Sequence, residues 1–189
     1  LQLVLTTYSI TATLGNEELL PRLWQLVEDS TFAEPTERFA STSVAHGAEV
    51  YRYLFDEINP FGGWLVNRAA NHALELPYLY GPGGIFNKVE DPSKGRKISA
   101  DLQEKWLRFA YGETIWKPFN EGGYYVFGPE GKVGQVDLDE VKSRRRVTGW
   151  EWVKTLKFEE RWELVVRTVV YASTLCGMEL KSNVSTYHR

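Results

Sequence analysis

The chain has 189 residues, 43% hydrophobic and 25% charged, with a net charge of −3 and an isoelectric point near 5.7. That is long enough to bury a full core, and an acidic net balance gives no electrostatic case for nucleic acid. A single cysteine, Cys176, excludes an internal disulfide framework. No apolar run is long enough to span a bilayer, and the first residues lack the charged and apolar regions of a signal peptide.

In chain order, residues 1–13 are apolar and β-branched without a clear period. Asn16 is placed to cap a helix through Val27, with Glu17 and Glu18 favourable in its first turn. Leu19, Leu20, Leu23, Trp24 and Val27 share one face of it. Asp29-Ser30-Thr31 reads as its end, and Pro35 as the start of a second helical segment reaching His46-Gly47. Residues 49–58 form the clearest strand signal: Val50, Tyr51, Tyr53, Leu54 and Phe55 are strong β-formers, and Asn59-Pro60 stops them. Residues 61–84 read as a long loop with seven glycines and prolines; loops of that length in compact domains are usually functional when they carry apolar residues.

A helix is expected from Ser99 through Tyr111, with Leu102, Trp106, Phe109 and Ala110 inward and Gly112 ending it. Tyr124–Phe127 reads as a short strand turned by Gly128-Pro129-Glu130-Gly131 into a second strand over 132–138. Arg144, Arg145 and Arg146 read as a solvated turn rather than a phosphate site. The last helix is expected over 158–176, with Phe158, Trp162, Val165, Val166, Val169 and Val170 as its core stripe. Cys176 at its end reads as a buried thiol. Asn183-Val184-Ser185 is a glycosylation sequon with force only in a secreted chain.

The chemistry-bearing residues are few. His72 stands in the long loop just past a strand, where a rigid sheet positions catalytic groups. A loop histidine bonding a backbone carbonyl is the competing reading. His46 reads as a helix-end histidine and His188 as terminal. Gly81-Pro82-Gly83-Gly84 lacks the Lys-Ser/Thr ending of a phosphate loop. No His or Cys pair has metal-ligand spacing, so no cofactor and no metal is expected.

At Asn71-His72-Ala73-Leu74-Glu75-Leu76-Pro77-Tyr78-Leu79-Tyr80-Gly81 the sequence resembles the histidine block of type-B carboxylesterases, the cholinesterase-like esterases and lipases. In that family the block usually reads His-Gly-x-Glu-Leu-x-Tyr-Val-Phe-Gly. Ala73 stands where Gly is usual, and its methyl is expected to crowd the loop or the pocket. Other segments agree in order: Val50–Phe55 with the strand before the block, Leu102–Ala110 with the helix carrying Trp-x-x-Phe-Ala, and Trp116-Lys117-Pro118-Phe119 with Trp-Pro-x-Tyr. Upstream, Asp29-Ser30-Thr31-Phe32 with Pro35 resembles the family's Asp-containing turn.

The resemblance implies an α/β fold: the C-terminal part of an α/β-hydrolase, with last sheet strands, histidine loop and flanking helices, as one partial domain over 1–189. It implies carboxylic-ester hydrolysis by a Ser-His-Glu or Ser-His-Asp triad, with His72 as the catalytic general base and Glu75 and Asp29 as supporting carboxylates. In this fold the nucleophile and acid precede the histidine, yet the chain contains no Gly-x-Ser-x-Gly and no Gly-Gly-Gly. The expectation is therefore a chain without triad catalysis on its own. Its partner is the missing N-terminal part of the same fold, and its substrate a small-molecule carboxylic ester in the complete enzyme. The family leans towards secreted proteins. Two alternatives stand beside this reading: a non-catalytic, esterase-like binding or adhesion protein, and an unrelated aromatic-rich binding module presenting Trp106, Trp116, Trp150 and Trp152 as an exposed stripe.

Overall fold

The structure is a computed structural model describing residues 2–11, 13–61, 70, 73–81, 83–88, 91–145 and 152–175. His72, Cys176, the sequon at Asn183 and His188 lie outside the described residues. Two compact units are distinguished, Leu1–Thr42 with Arg145–Arg189, and Ser43–Arg144.

The first unit is helical. Helix α1 spans Gln2–Thr7 and α2 spans Asn16–Glu28. Gly15, not Asn16, is the capping position; its carbonyl accepts from the amides of Glu18 and Leu19. Leu23 and Leu26 are the buried residues of α2, while Trp24 stays exposed. The expected stop at Asp29-Ser30-Thr31 is not a break. One π turn, Asp29–Ala33, runs straight into α3, Glu34–Ala45. Proline explains the widened turn: the Pro35 ring would clash with the carbonyl four residues back and has no amide to offer it. The Glu34 amide accordingly reaches Asp29 O, five residues back.

The last helix, α7 (Phe158–Leu175), packs along α2. Its buried residues are Val165, Thr168, Ala172 and Ser173. Of the expected stripe Val165 is buried and Val169 half-buried, whereas Phe158 (74% exposed), Trp162, Val166 and Val170 face outward. Burial inside the unit is supplemented by polar bonds. Glu34 is fully buried and accepts from Arg38 (2.8 Å at Nε) on its own helix and from Arg161 on α7. Tyr8, also fully buried, donates to Asp29 Oδ2 at 2.9 Å.

The second unit holds the sheet, in the order β1 (Tyr53–Phe55), β2 (Tyr124–Phe127), β3 (Val133–Val136). β1 runs parallel to β2, pairing Tyr53 with Tyr125 and Phe55 with Phe127; β2 and β3 form an antiparallel hairpin. The strand signal over 49–58 is thus centred correctly but only three residues are laddered. All of β2 is buried, as befits the central strand. The hairpin turn needs its first glycine: Gly128 has φ +97°, and a Cβ there would stand 2.3 Å from the Glu57 amide nitrogen.

Helix α5 spans Pro92–Ala110, starting earlier than Ser99 because Asp91 caps it and Pro92 occupies the first turn. Ile98 and Leu102 are fully buried, whereas Trp106, Phe109 and Ala110 are exposed rather than inward. Residues 61–84 are not wholly loop: they contain helix α4 (Glu75–Tyr80) and the start of a 3₁₀ turn, Gly83–Lys88. An aromatic core gathers Leu74, Tyr78, Phe86, Ile98, Leu102, Trp116, Tyr125 and Phe127. Trp116 is buried and stacks on Tyr125 at 4.8 Å, so it takes no part in an exposed tryptophan stripe. Helix α6 (Leu138–Arg144) is anchored by Arg144, which pairs with Asp56 (3.5 Å) and Glu140 and donates to Gly128 O at 3.1 Å. Arg144 is an anchor, not part of a solvated turn. Among the described residues no helix is long and apolar enough to cross a membrane.

Candidate functional site

The candidate site is built on α4, because that helix begins three residues after His72. Leu74 and Tyr78, four apart, are buried and place one face of α4 in the aromatic core. The Tyr78 ring lies 5.0 Å from Phe55 at the end of β1 and 4.8 Å from Phe86, both centroid to centroid. The sheet therefore fixes the helix through an aromatic contact. Glu75, the first residue of α4, is half-buried. Burial, and then the charge of Glu75, raise the Tyr53 phenol above its ordinary value.

Two backbone features shape the segment next to His72. Ala73 has φ +62°, in the left-handed region that suits glycine. The cost of the alanine is thus identified in the backbone, where a methyl-bearing residue holds a glycine's conformation. Pro77 sits inside α4 and offers no amide, and the Ala73 carbonyl instead takes the Leu76 N–H at 3.1 Å. At the other end Gly81 donates to Pro77 O at 3.0 Å, and a Cβ on Gly81 would lie 2.2 Å from that oxygen. Close approach, not a positive φ, requires the glycine that ends the block.

Polar groups that pattern reasoning passed over surround this helix. The Tyr78 carbonyl accepts from Ser99 Oγ at 2.6 Å and from Gln103 Nε2 at 3.1 Å, both on α5. The Tyr78 hydroxyl is buried without a hydrogen-bond partner among the described residues, and burial raises its pKa. Glu57, just beyond β1, is buried; its Oε2 accepts from the Gly131 amide at 3.0 Å, yet burial still raises its carboxyl above the ordinary range. A lone carboxylate at a strand end carries no periodic signal, and Ser99 and Gln103 are marked only by their spacing of four in a helix.

Asp29, the other predicted carboxylate, belongs to the first unit, where it is buried and bonded by Tyr8. Glu75 belongs to the second unit. His46 is the C-cap residue of α3, where the Gly47 amide reaches Val44 O and the Ala48 amide reaches Ser43 O. That is the helix-end setting expected for it. Among the described residues no group of His, Cys, Asp and Glu could hold a metal.

The profile of the Carboxylesterase family matches residues 2–141. Esterase cest-33 of Caenorhabditis elegans is 34% identical over 102 residues, covering 51% of this chain and 18% of that protein. Lipase 3 of Yarrowia lipolytica is 31% identical over 111 residues, covering 59% of this chain and 20% of that protein. The chain thus spans about a fifth of the length of these curated relatives. No solved structure matches it. With the family profile covering well over half of the sequence, the chain belongs to the carboxylesterase family.

Proposed function

We propose that this chain supplies the general-base histidine of a serine carboxylic-ester hydrolase, and that His72 is that base. Family membership implies an α/β-hydrolase fold and an esterase-like hydrolase acting on small-molecule esters; the helix-rich chain with a small mixed sheet is consistent with that fold. The finer reading is that residues 1–189 are one partial domain, the C-terminal part of the fold, and that the missing N-terminal part is its partner. Coverage of about a fifth of each relative supports it. The observation that carries the catalytic assignment is the block from His72 to Gly81, within which Glu75–Tyr80 forms helix α4, seated in the core through Leu74 and Tyr78.

In the proposed reaction a serine hydroxyl attacks the acyl carbon while His72 takes its proton; His72 then returns that proton to the leaving alcohol. Water, activated the same way, releases the acid from the acyl-enzyme. An acidic side chain holds the imidazolium. Glu75 and Asp29 are assigned supporting roles rather than that of the triad acid. The serine, the acid and the oxyanion hole are not furnished by these 189 residues, which contain no Gly-x-Ser-x-Gly. Residues 1–189 alone are therefore expected to hydrolyse p-nitrophenyl acetate no faster than the His72→Ala variant. Turnover by the isolated chain that depends on His72 would overturn that expectation.

A further inference from the structure

We infer that Ser99 and Gln103 are positioning residues for His72, acting through the backbone of α4; the inference rests on the reading of His72 as the general base. Helix α4 has six residues, too few to hold a helix by its own hydrogen bonds, and Pro77 removes one donor from it. Its placement must come from outside. The apolar contacts of Leu74 and Tyr78 supply burial, but such contacts are non-directional and tolerate rotation and sliding.

The directional restraint is a closed polar triangle. The Tyr78 carbonyl is one of the C-terminal carbonyls that a helix leaves without an internal partner. Ser99 Oγ donates to it at 2.6 Å and Gln103 Nε2 at 3.1 Å; Gln103 Nε2 also donates to Ser99 Oγ at 3.1 Å. Both carbonyl lone pairs are used, the hydroxyl donates once and accepts once, and both amide protons are spent. Ser99 is buried and Gln103 partly so, a setting in which a satisfied network is strong and a broken one costly. The two side chains sit one turn apart on α5, a 19-residue helix fixed in the core by Ile98 and Leu102. The bond therefore ties the end of α4 to a rigid element. From Tyr78 the backbone returns through one helical turn to Ala73, held in its left-handed conformation, and the next residue back is His72.

The test reads the histidine itself. The chain has three histidines, His46, His72 and His188, so imidazole NMR resonances and their pH midpoints can be followed one by one. In the Ser99→Ala/Gln103→Ala double variant, the His72 resonances and midpoint are expected to move while those of His46 and His188 stay put. Ser99→Thr, which keeps the hydroxyl, is expected to retain the wild-type His72 signal. The single variants give the same reading if the double variant does not fold. An unmoved His72 with a lowered melting temperature, or equal movement of all three histidines, would reduce the triangle to a fold contact and overturn the inference. In a longer polypeptide with His72-dependent ester hydrolysis, kcat is expected to fall about tenfold to a hundredfold with KM nearly unchanged, the usual scale for a misplaced catalytic group. Absence of any His72-dependent hydrolysis would defeat the functional reading, and the NMR result would still decide whether the triangle positions the histidine.

Discussion

The two units are held together by different physics. In the residue 43–144 unit, eight buried residues, five of them aromatic, form one apolar cluster beside the sheet. In the unit formed by 1–42 and 145–189, the cluster among the described residues consists of Tyr8 and Leu26 with partly buried neighbours. The helices there are tied by a fully buried Glu34 paired with Arg161 and Arg38, and by Tyr8 on Asp29. Large apolar side chains in that unit remain outward, Phe39 at 76% exposed and Phe158 at 74%. Apolar burial tolerates many substitutions of similar volume, whereas a buried charge tolerates the loss of its partner poorly. Among the described residues, the unit of 43–144 is thus built on aromatic packing, and the other on aliphatic burial supplemented by a few buried polar bonds.

Substitution separates the two modes. Phe127→Ala removes a fully buried ring from the aromatic cluster and should cost about 3–5 kcal/mol in chemical denaturation. Arg161→Ala strips a buried carboxylate of a partner and should cost a similar amount, about 3–5 kcal/mol. The comparison sharpens with a double replacement: Glu34→Leu with Arg161→Met should recover most of that loss, since apolar residues of similar volume often replace buried ion pairs without penalty. Failure of the double variant to recover would mean that packing, not the charge pair, governs the helical unit.

A smaller effect is expected beside the histidine. Ala73→Gly relieves a left-handed backbone that costs an alanine about 1–2 kcal/mol; glycine's greater freedom in the unfolded chain offsets part of it. A raised melting temperature is the expected result, and a lowered one would remove the strain argument. The smallest effect concerns pH. Burial raises the Glu57 carboxyl, so its protonated form is favoured in the fold. The stability linked to this group is fully present below the ordinary carboxylate range and is lost as pH rises through the raised value. Glu57→Gln, which can still accept from the Gly131 amide, should flatten that part of the melting-temperature profile and raise stability at neutral pH. An unchanged slope in that window would show that the buried carboxylate is not its source.

How much of this was legible in the sequence follows from the same contrast. The hairpin at 124–136 and the strand around Tyr53 were readable, because β-branched and aromatic residues bounded by Gly and Pro have few other ways to pack. The histidine block was readable as a motif, but helix α4 within it was not: Gly and Pro around Glu75–Tyr80 read as loop, and so short a helix is stabilised by core contacts and by the bonds from Ser99 and Gln103, which lie far along the chain. On α7 the apolar pattern spans more than one face, and periodicity could not choose; the buried side includes the small Ala172 and the polar Thr168 and Ser173, which an apolar stripe leaves out. The π turn escaped for a similar reason, since Asp29-Ser30-Thr31 followed by a proline is what a helix end also looks like. Buried carboxylates such as Glu34 and Glu57 carry no sequence signal of burial: Arg38, four residues on, is the partner an exposed helical Glu would also have, and Arg161 and the Gly131 amide are distant along the chain.

The measurement that bears most directly on the account is ester hydrolysis by the gene-encoded polypeptide that contains these 189 residues, compared with its His72→Ala variant on p-nitrophenyl acetate. Loss of a triad base removes nearly all of the acceleration that the nucleophile provides, so a fall of about 10⁴-fold or more is predicted, with binding little changed. A rate that persists without His72, or a polypeptide with no esterase activity at all, would contradict the assignment of His72 as the general base.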